Sequence, residues 1–208
     1  MTQDSLIFVV DDDHDVREST RALLESAGFK VRVYASATAF LADRPPPGGC
    51  LIADIRMPEM DGLELQEELI RRGVDLPVII MTGHGDVPLA VRAMKAGALD
   101  FIEKPFNDEF ILASVRRALE IGLRARNKLA EAKAAQDLLD LLTPRERNVL
   151  EQLVAGRSNK VAAYELGISP RTIEIHRARI MDKMNARSLS DLVRIALAAV
   201  SPDTHSRA

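Results

Sequence analysis

Apolar and polar positions follow two different rhythms along this chain. In the first half, short apolar runs end on polar residues. Leu6-Ile7-Phe8-Val9-Val10 precedes Asp11 and Asp12, Cys50-Leu51-Ile52-Ala53 precedes Asp54, Val78-Ile79-Ile80-Met81 leads into Thr82, and Leu99-Asp100-Phe101-Ile102-Glu103 leads into Lys104-Pro105. Runs this short, bounded by turn residues and alternating with helical patterns, predict buried strands of a parallel α/β sheet. In such a sheet the ligand site lies at the carboxyl ends of the strands, so three acids, a hydroxyl and an ammonium are expected at one edge.

From residue 107 the rhythm is helical. No proline occurs between Pro105 and Pro144, Gly122 is the only glycine there, and strong helix formers dominate 123–142. With Asn107 or Asp108 as cap, the last helix of the first domain reads as running on into a linker helix ending near Leu142. A break at Gly122 followed by a partly helical tether is the alternative. Thr143-Pro144-Arg145-Glu146 then starts a new helix, because threonine caps, proline takes the first helical position and glutamate reaches back. That helix runs to about Ala155, a second from Asn159 to Leu166 before Gly167, and a third from Ser169-Pro170 to about Asn185. A short helix, a turn and a longer helix predict a helix-turn-helix. The boundaries read as 1–122, a linker over 123–142, a DNA-binding domain over 143–200 and a disordered tail over 201–208. Pro45-Pro46-Pro47-Gly48-Gly49 reads as a turn, and internal repeats are absent.

At roughly 100° per residue, the third helix sorts into faces. Ile173, Ile180 and Met184 fall on the inward side, and Arg171, Glu174, Ile175, Ala178 and Asp182 on the opposite one. Thr172, His176, Arg179 and Lys183 lie along a flank that would meet a phosphate backbone. A solvated face has little use for Ile175, which with the small Ala178 favours docking into a groove.

Composition supports this division. The 208 residues are 47% hydrophobic, enough for two modest cores. Residues 1–123 carry a net charge of −8 and residues 124–208 a net charge of +5, so the second half is the one suited to a polyanion. The single cysteine, Cys50, rules out an internal disulfide or a cysteine-based zinc site and reads as a small core hydrophobe. No apolar run approaches a membrane span, and the start lacks a signal-peptide pattern, so a cytoplasmic protein is expected.

The candidate chemistry at the sheet edge is phosphoryl transfer to a carboxylate. Asp11 and Asp12 would seat a hard divalent cation, Mg²⁺ or Mn²⁺, which takes oxygen ligands. Asp54 would attack phosphorus, Lys104 would screen the incoming charge, and Thr82 would bond a phosphate oxygen. An acid after a strand is often only a helix cap, but five polar groups, three of them acids, converge at the ends of four predicted strands.

These residues resemble the receiver domain of bacterial two-component response regulators over about residues 4–123. The resemblance rests on Val10-Asp11-Asp12, Ala53-Asp54-Ile55-Arg56-Met57-Pro58-Glu59-Met60-Asp61-Gly62, Thr82-Gly83-His84-Gly85 and Phe101-Ile102-Glu103-Lys104-Pro105-Phe106. It implies an α/β doubly wound, parallel five-stranded fold, with Asp54 as the phosphorylated residue. Asp11, Asp12, Asp54 and the Arg56 main-chain carbonyl become metal ligands, and Thr82 with Phe101 a switch pair. Phe101 reads equally as a half-buried strand aromatic, and Lys104-Pro105 is a candidate cis peptide.

Residues 138–200 resemble the LuxR/FixJ-type output domain, an all-α helix-turn-helix unit. The resemblance rests on Leu142-Thr143-Pro144-Arg145-Glu146, Ser158-Asn159-Lys160, Leu166-Gly167-Ile168-Ser169 and Thr172-Ile173-Glu174-Ile175-His176-Arg177. It places Lys160, Thr172 and His176 near DNA phosphates and Glu174, Ile175 and Ala178 facing bases. The chain as a whole resembles the FixJ branch of response regulators. That implies double-stranded DNA, RNA polymerase and a sensor histidine kinase, of FixL haem type, as partners, with nitrogen-fixation or microaerobic genes as targets and a homodimer once phosphorylated. The pairing surface is either the face of helices 86–96 and 107–122 or the first helix near 16–24. Two other classes compete. A dehalogenase-like phosphohydrolase needs a second aspartate where Arg56 stands, and an RNA-binding output is disfavoured by the Ser169-Pro170 helix start.

Overall fold

The computed structural model describes residues 6–43, 46, 48–83 and 87–200. The expected tail over 201–208, His84-Gly85 of the fourth strand's motif and part of the proline turn lie outside the described residues. The chain divides into two compact units, Met1–Arg126 and Asn127–Ala208.

In the first unit, strands β1 (Leu6–Val10), β2 (Lys30–Tyr34), β3 (Cys50–Asp54), β4 (Val78–Thr82) and β5 (Asp100–Glu103) form one parallel sheet in the order β2-β1-β3-β4-β5. Every residue of β3 and β4 is buried, the signature of strands covered on both faces. Helices α1 (His14–Ser26) and α5 (Asp108–Asp140) cover the face of Ile7, Val9, Cys50, Ile52, Ile79 and Met81. Helices α2 (Ala37–Ala42), α3 (Gly62–Arg71) and α4 (Val87–Lys95) cover the face of Phe8, Val10, Leu51, Ala53 and Ile80. The order reverses direction between β1 and β3, and the ends of those two strands carry the acids. Strand β2 gave no apolar run in the sequence because it is an edge strand, with exposed Lys30 and Arg32 alternating with partly buried Val31 and Val33.

Gly122 does not break α5. A Cβ at that position would stand 3.0 Å from Pro77 Cγ, so the glycine records a close approach inside the helix. Asn107 is the cap of this helix, its Oδ1 accepting the Glu109 amide at 2.7 Å.

The second unit contains α6 (Pro144–Val154), α7 (Asn159–Leu166), α8 (Pro170–Lys183) and α9 (Leu189–Val200). Their buried faces meet in one core that includes Val149, Leu153, Ala162, Ile173, Ile180, Met184 and Leu192. Gly167 closes α7 in the left-handed conformation, φ 63°. Helix α9 was not among the sequence expectations, although its start was legible. Ser188 Oγ accepts the Asp191 amide and Asp191 Oδ2 accepts the Arg187 amide, a serine–acid cap before an apolar periodic run. Among the described residues no helix is long and apolar enough to cross a membrane.

Candidate functional site

The carboxyl ends of β1, β3 and β5 bring three charged side chains together. Lys104 Nζ donates to Asp11 Oδ2 at 2.6 Å and to Asp54 Oδ1 at 2.5 Å, while Asp11 and Asp54 are only 1% and 6% exposed. Each carboxylate is also held by main chain next to it. The Arg56 amide donates to Asp54 Oδ2 at 2.7 Å, and the Asp13 amide to Asp11 Oδ1 at 3.0 Å. Burial pushes the Asp11 carboxyl above its ordinary range, an effect that the Lys104 ammonium only partly offsets. Burial alone would lower Lys104, but its bonds to Asp11 and Asp54 outweigh that and hold the ammonium above its usual value.

Backbone geometry places Asp54 with equal care. Asp61 caps α3 in a reciprocal box with Glu64, and the Gly62 amide donates back to Ile55 O at 3.1 Å. A Cβ on Gly62 would lie 2.4 Å from Asp54 O, so the first residue of α3 must be glycine for the loop to close on the phosphoacceptor candidate. Glu59 takes a positive φ of 66° within this loop.

Thr82 is fully buried at the end of β4, and its carbonyl accepts the Lys104 amide at 2.7 Å. Phe101 pairs in register with Ile80, two residues before Thr82, and packs half-buried against the same core face. Thr82 and Phe101 are therefore diagonal neighbours on one face of the sheet. The Lys104-Pro105 peptide is cis.

The carboxylates of Asp11 and Asp54 are the donor set open to the expected divalent cation. All of its atoms are oxygens, and a buried carboxylate pair short of positive charge suits a hard cation. The expected three-carboxylate seat is not assembled, however. Among the described residues no three acidic, histidine or cysteine side chains converge, Asp12 is exposed, and the ammonium of Lys104 stands between the other two.

On α8 the faces follow the helical angles. Ile173, Ile180 and Met184 are buried, and Arg171, Glu174, Ile175, Ala178, Arg179 and Asp182 are exposed. Arg171, Glu174, Ile175 and Ala178 line one shallow concavity. Lys160 is exposed on α7, and Lys160, Arg171 and Arg179 make no ion pair among the described residues. Thr172 joins the cap of α8, its amide donating to Ser169 Oγ, and His176 is half-buried. Lys183 is placed differently from the expectation. Its Nζ donates to Glu146 Oε2 at 2.7 Å and to Leu141 O at 3.2 Å. Glu146 closes the cap of α6 and is 3% exposed, and a buried carboxylate needs a cation, so Lys183 is drawn inward, away from the flank expected to meet a phosphate backbone. Its hydrogen bonds, to Lys183 first and then the Thr143 amide, hold the Glu146 carboxyl well down, at about 2.

Sequence reasoning passed over Arg17 and gave Gly62 no role. Arg17 lies four residues after the α1 cap, and only that spacing signals that it could reach back to the acidic loop.

A parallel five-stranded sheet with an acid–lysine cluster at its carboxyl edge, in a chain that also carries a helix-turn-helix, is the build of a phosphorylation-controlled regulator. Residues 7–116 match the family described as "Response regulator receiver domain", and residues 140–196 match "Bacterial regulatory proteins, luxR family". The chain belongs to the two-component response regulators that join a receiver domain to a LuxR-type DNA-binding domain, and it is a transcriptional regulator. It is 53% identical to the transcriptional regulatory protein FixJ of Azorhizobium caulinodans, with 94% of each chain covered. Among solved structures it is similar to response regulator StyR, with a TM-score of 0.81 and 43% identity over 92% of this chain and 98% of that one. Full-length FixJ from B. japonicum gives a TM-score of 0.60 and 48% identity over 96% and 98% of the two chains. Receiver domains of this family bind Mg²⁺ at the acidic phosphorylation site.

Proposed function

We propose that Asp54 accepts a phosphoryl group from a sensor histidine kinase and that the phosphorylated protein dimerises to bind promoter DNA. The observation that carries this reading is the Lys104 ammonium bonded to both Asp11 and Asp54 at the sheet edge. An Asp54 oxygen attacks phosphorus, the P–N bond of the kinase phosphohistidine breaks, and the imidazole nitrogen keeps the electron pair. Lys104 neutralises charge on the incoming group, and the Arg56 amide holds the non-attacking Asp54 oxygen in place. Asp11, Asp54, Asp12 and the Arg56 carbonyl would hold Mg²⁺ or Mn²⁺, which supplies charge neutralisation across the phosphoryl oxygens. Thr82 and Phe101, diagonal neighbours on β4 and β5, are the switch pair.

For the dimer, the exposed stripe of Val87, Val91 and Met94 favours the α4 side of the first unit over α1. On DNA, Lys160, Thr172, His176 and Arg179 contact phosphates, and Arg171, Glu174, Ile175 and Ala178 face base edges, with Glu174 suited to a cytosine amino group. RNA polymerase is the further partner of a promoter-bound activator. The similarity to FixJ extends the proposal to a FixL-type haem kinase and to nitrogen-fixation or microaerobic genes.

Incubation with acetyl phosphate and Mg²⁺ tests the assignment. Wild-type protein should take up one phosphoryl group and Asp54→Asn none. Undiminished label on the variant, or labelling indifferent to the divalent cation, would overturn it.

A further inference from the structure

Beyond these roles, we infer that Arg17 is a positioning residue for the cation seat: its guanidinium fixes the main chain from which the Asp12 carboxylate would reach a cation held by Asp11 and Asp54. The inference rests on the reading of Asp11 and Asp12 as cation ligands. The carboxylate of Asp12 makes no hydrogen bond among the described residues and is exposed, so nothing on its own side chain sets its direction. Its backbone is held instead. Arg17 Nη1 donates to Asp11 O at 2.6 Å and to Asp12 O at 3.3 Å. Those carbonyls belong to the two peptide planes that flank the Asp12 Cα. Because each peptide unit is rigid, holding both planes fixes φ and ψ at Asp12 and with them the direction of its Cα–Cβ bond.

The other end of the clamp is anchored as well. The Arg17 amide donates to Asp13 O at 3.0 Å in the first turn of α1, and Asp13 caps that turn by accepting the Asp15 and Val16 amides. Asp11 Oδ1 accepts the Asp13 amide, so cap, loop and arginine form one closed set of bonds around the acidic pair. Arginine suits the role because a planar guanidinium offers donors in a fixed fork, whereas an ammonium is a point donor on a flexible stem. Groups that orient metal ligands without touching the metal typically change its affinity by about 10- to 100-fold.

The full-length chain tests this in its unphosphorylated form. Calorimetric Mg²⁺ titrations of wild type, Arg17→Met and Arg17→Lys, below their thermal midpoints, read the seat directly. Arg17→Met keeps the aliphatic stem and removes the nitrogen that makes both bonds, so its Mg²⁺ affinity should fall about 10- to 100-fold. Arg17→Lys should lose less, and it carries the test if the methionine variant does not fold. Acetyl phosphate labelling of either variant should then need more Mg²⁺ for half-saturation yet reach the wild-type extent at excess Mg²⁺. A purely structural role would lower the thermal midpoint and leave the Mg²⁺ dependence alone. Wild-type affinity in both variants, with wild-type protein binding saturably, would sink the inference. An absence of saturable Mg²⁺ binding in wild type would instead remove the cation seat on which it stands.

Discussion

Lys104 and Lys183 carry different expectations in the sequence, yet both neutralise buried carboxylates, Lys104 the pair at the candidate phosphorylation site and Lys183 a single one inside the helical unit. Replacing Lys104 by methionine leaves Asp11 and Asp54 with buried charge and no cation. The expected cost is about 2–3 kcal/mol, below the ~3–5 of a fully buried pair because Lys104 reaches solvent. A divalent cation can take over part of its task, so excess Mg²⁺ should stabilise Lys104→Met more than wild type in urea denaturation. Equal stabilisation of the two would argue against a cation site between those acids. At Lys183 the test is acid. Glu146 has its carboxyl depressed to about 2 in the fold, so its ionised form stabilises the protein fully above the unfolded value, and that share is lost as pH falls from about 4.5 toward 2. Glu146→Gln should be less stable near neutral pH and show a shallower loss between those limits. Lys183→Met should cost about 1–3 kcal/mol of stability while leaving the salt dependence of DNA binding unchanged. A salt slope reduced by one phosphate contact would return Lys183 to the DNA.

At the scale of elements, caps and glycines do most of the positioning. The first residue of α3 touches the Asp54 main chain, so Gly62→Ala must push that strand end aside to make room for a methyl group. The variant should retain its fold with a loss of about 1–3 kcal/mol, the range of overpacked sites, and should accept phosphate from acetyl phosphate at a rate at least tenfold lower. Wild-type labelling kinetics would show that the loop tolerates the shift. Much of this level was legible in the sequence. The Thr143 and Ser169 caps, the ends of α7 and the buried stripe of α8 follow from local chemistry and period alone. Strand β2 and α9 escaped because one is an amphipathic edge and the other follows an unremarked serine. Lys183 escaped for a different reason. Helical angle gives the side of the helix a residue leaves from, but a long flexible side chain goes where a buried charge draws it, and that depends on Glu146, 37 residues away in the chain. Arg17 likewise acts across the junction of β1 and α1, which spacing suggests and only coordinates reveal.

The whole molecule joins an acidic half to a basic one. Binding two half-sites calls for two copies, and a two-fold contact is the usual solution, so phosphorylation should convert a monomer to a dimer in sedimentation. Val91→Glu should still be labelled on Asp54 yet stay monomeric and protect promoter DNA poorly. A dimer of unchanged mass in that variant would move the contact to α1. Cys50 has a further consequence for such measurements. It sits fully buried on β3, four residues before Asp54, with burial pushing its thiol up to about 12. A thiol reagent can reach it only when the central strand is exposed, so its rate of reaction counts openings of the first unit. Since the chain has no other cysteine, the helix-turn-helix unit is silent in that signal. The protein thus carries an internal gauge of one half alone, on which bound Mg²⁺ or phosphate would register as slower labelling with no probe introduced.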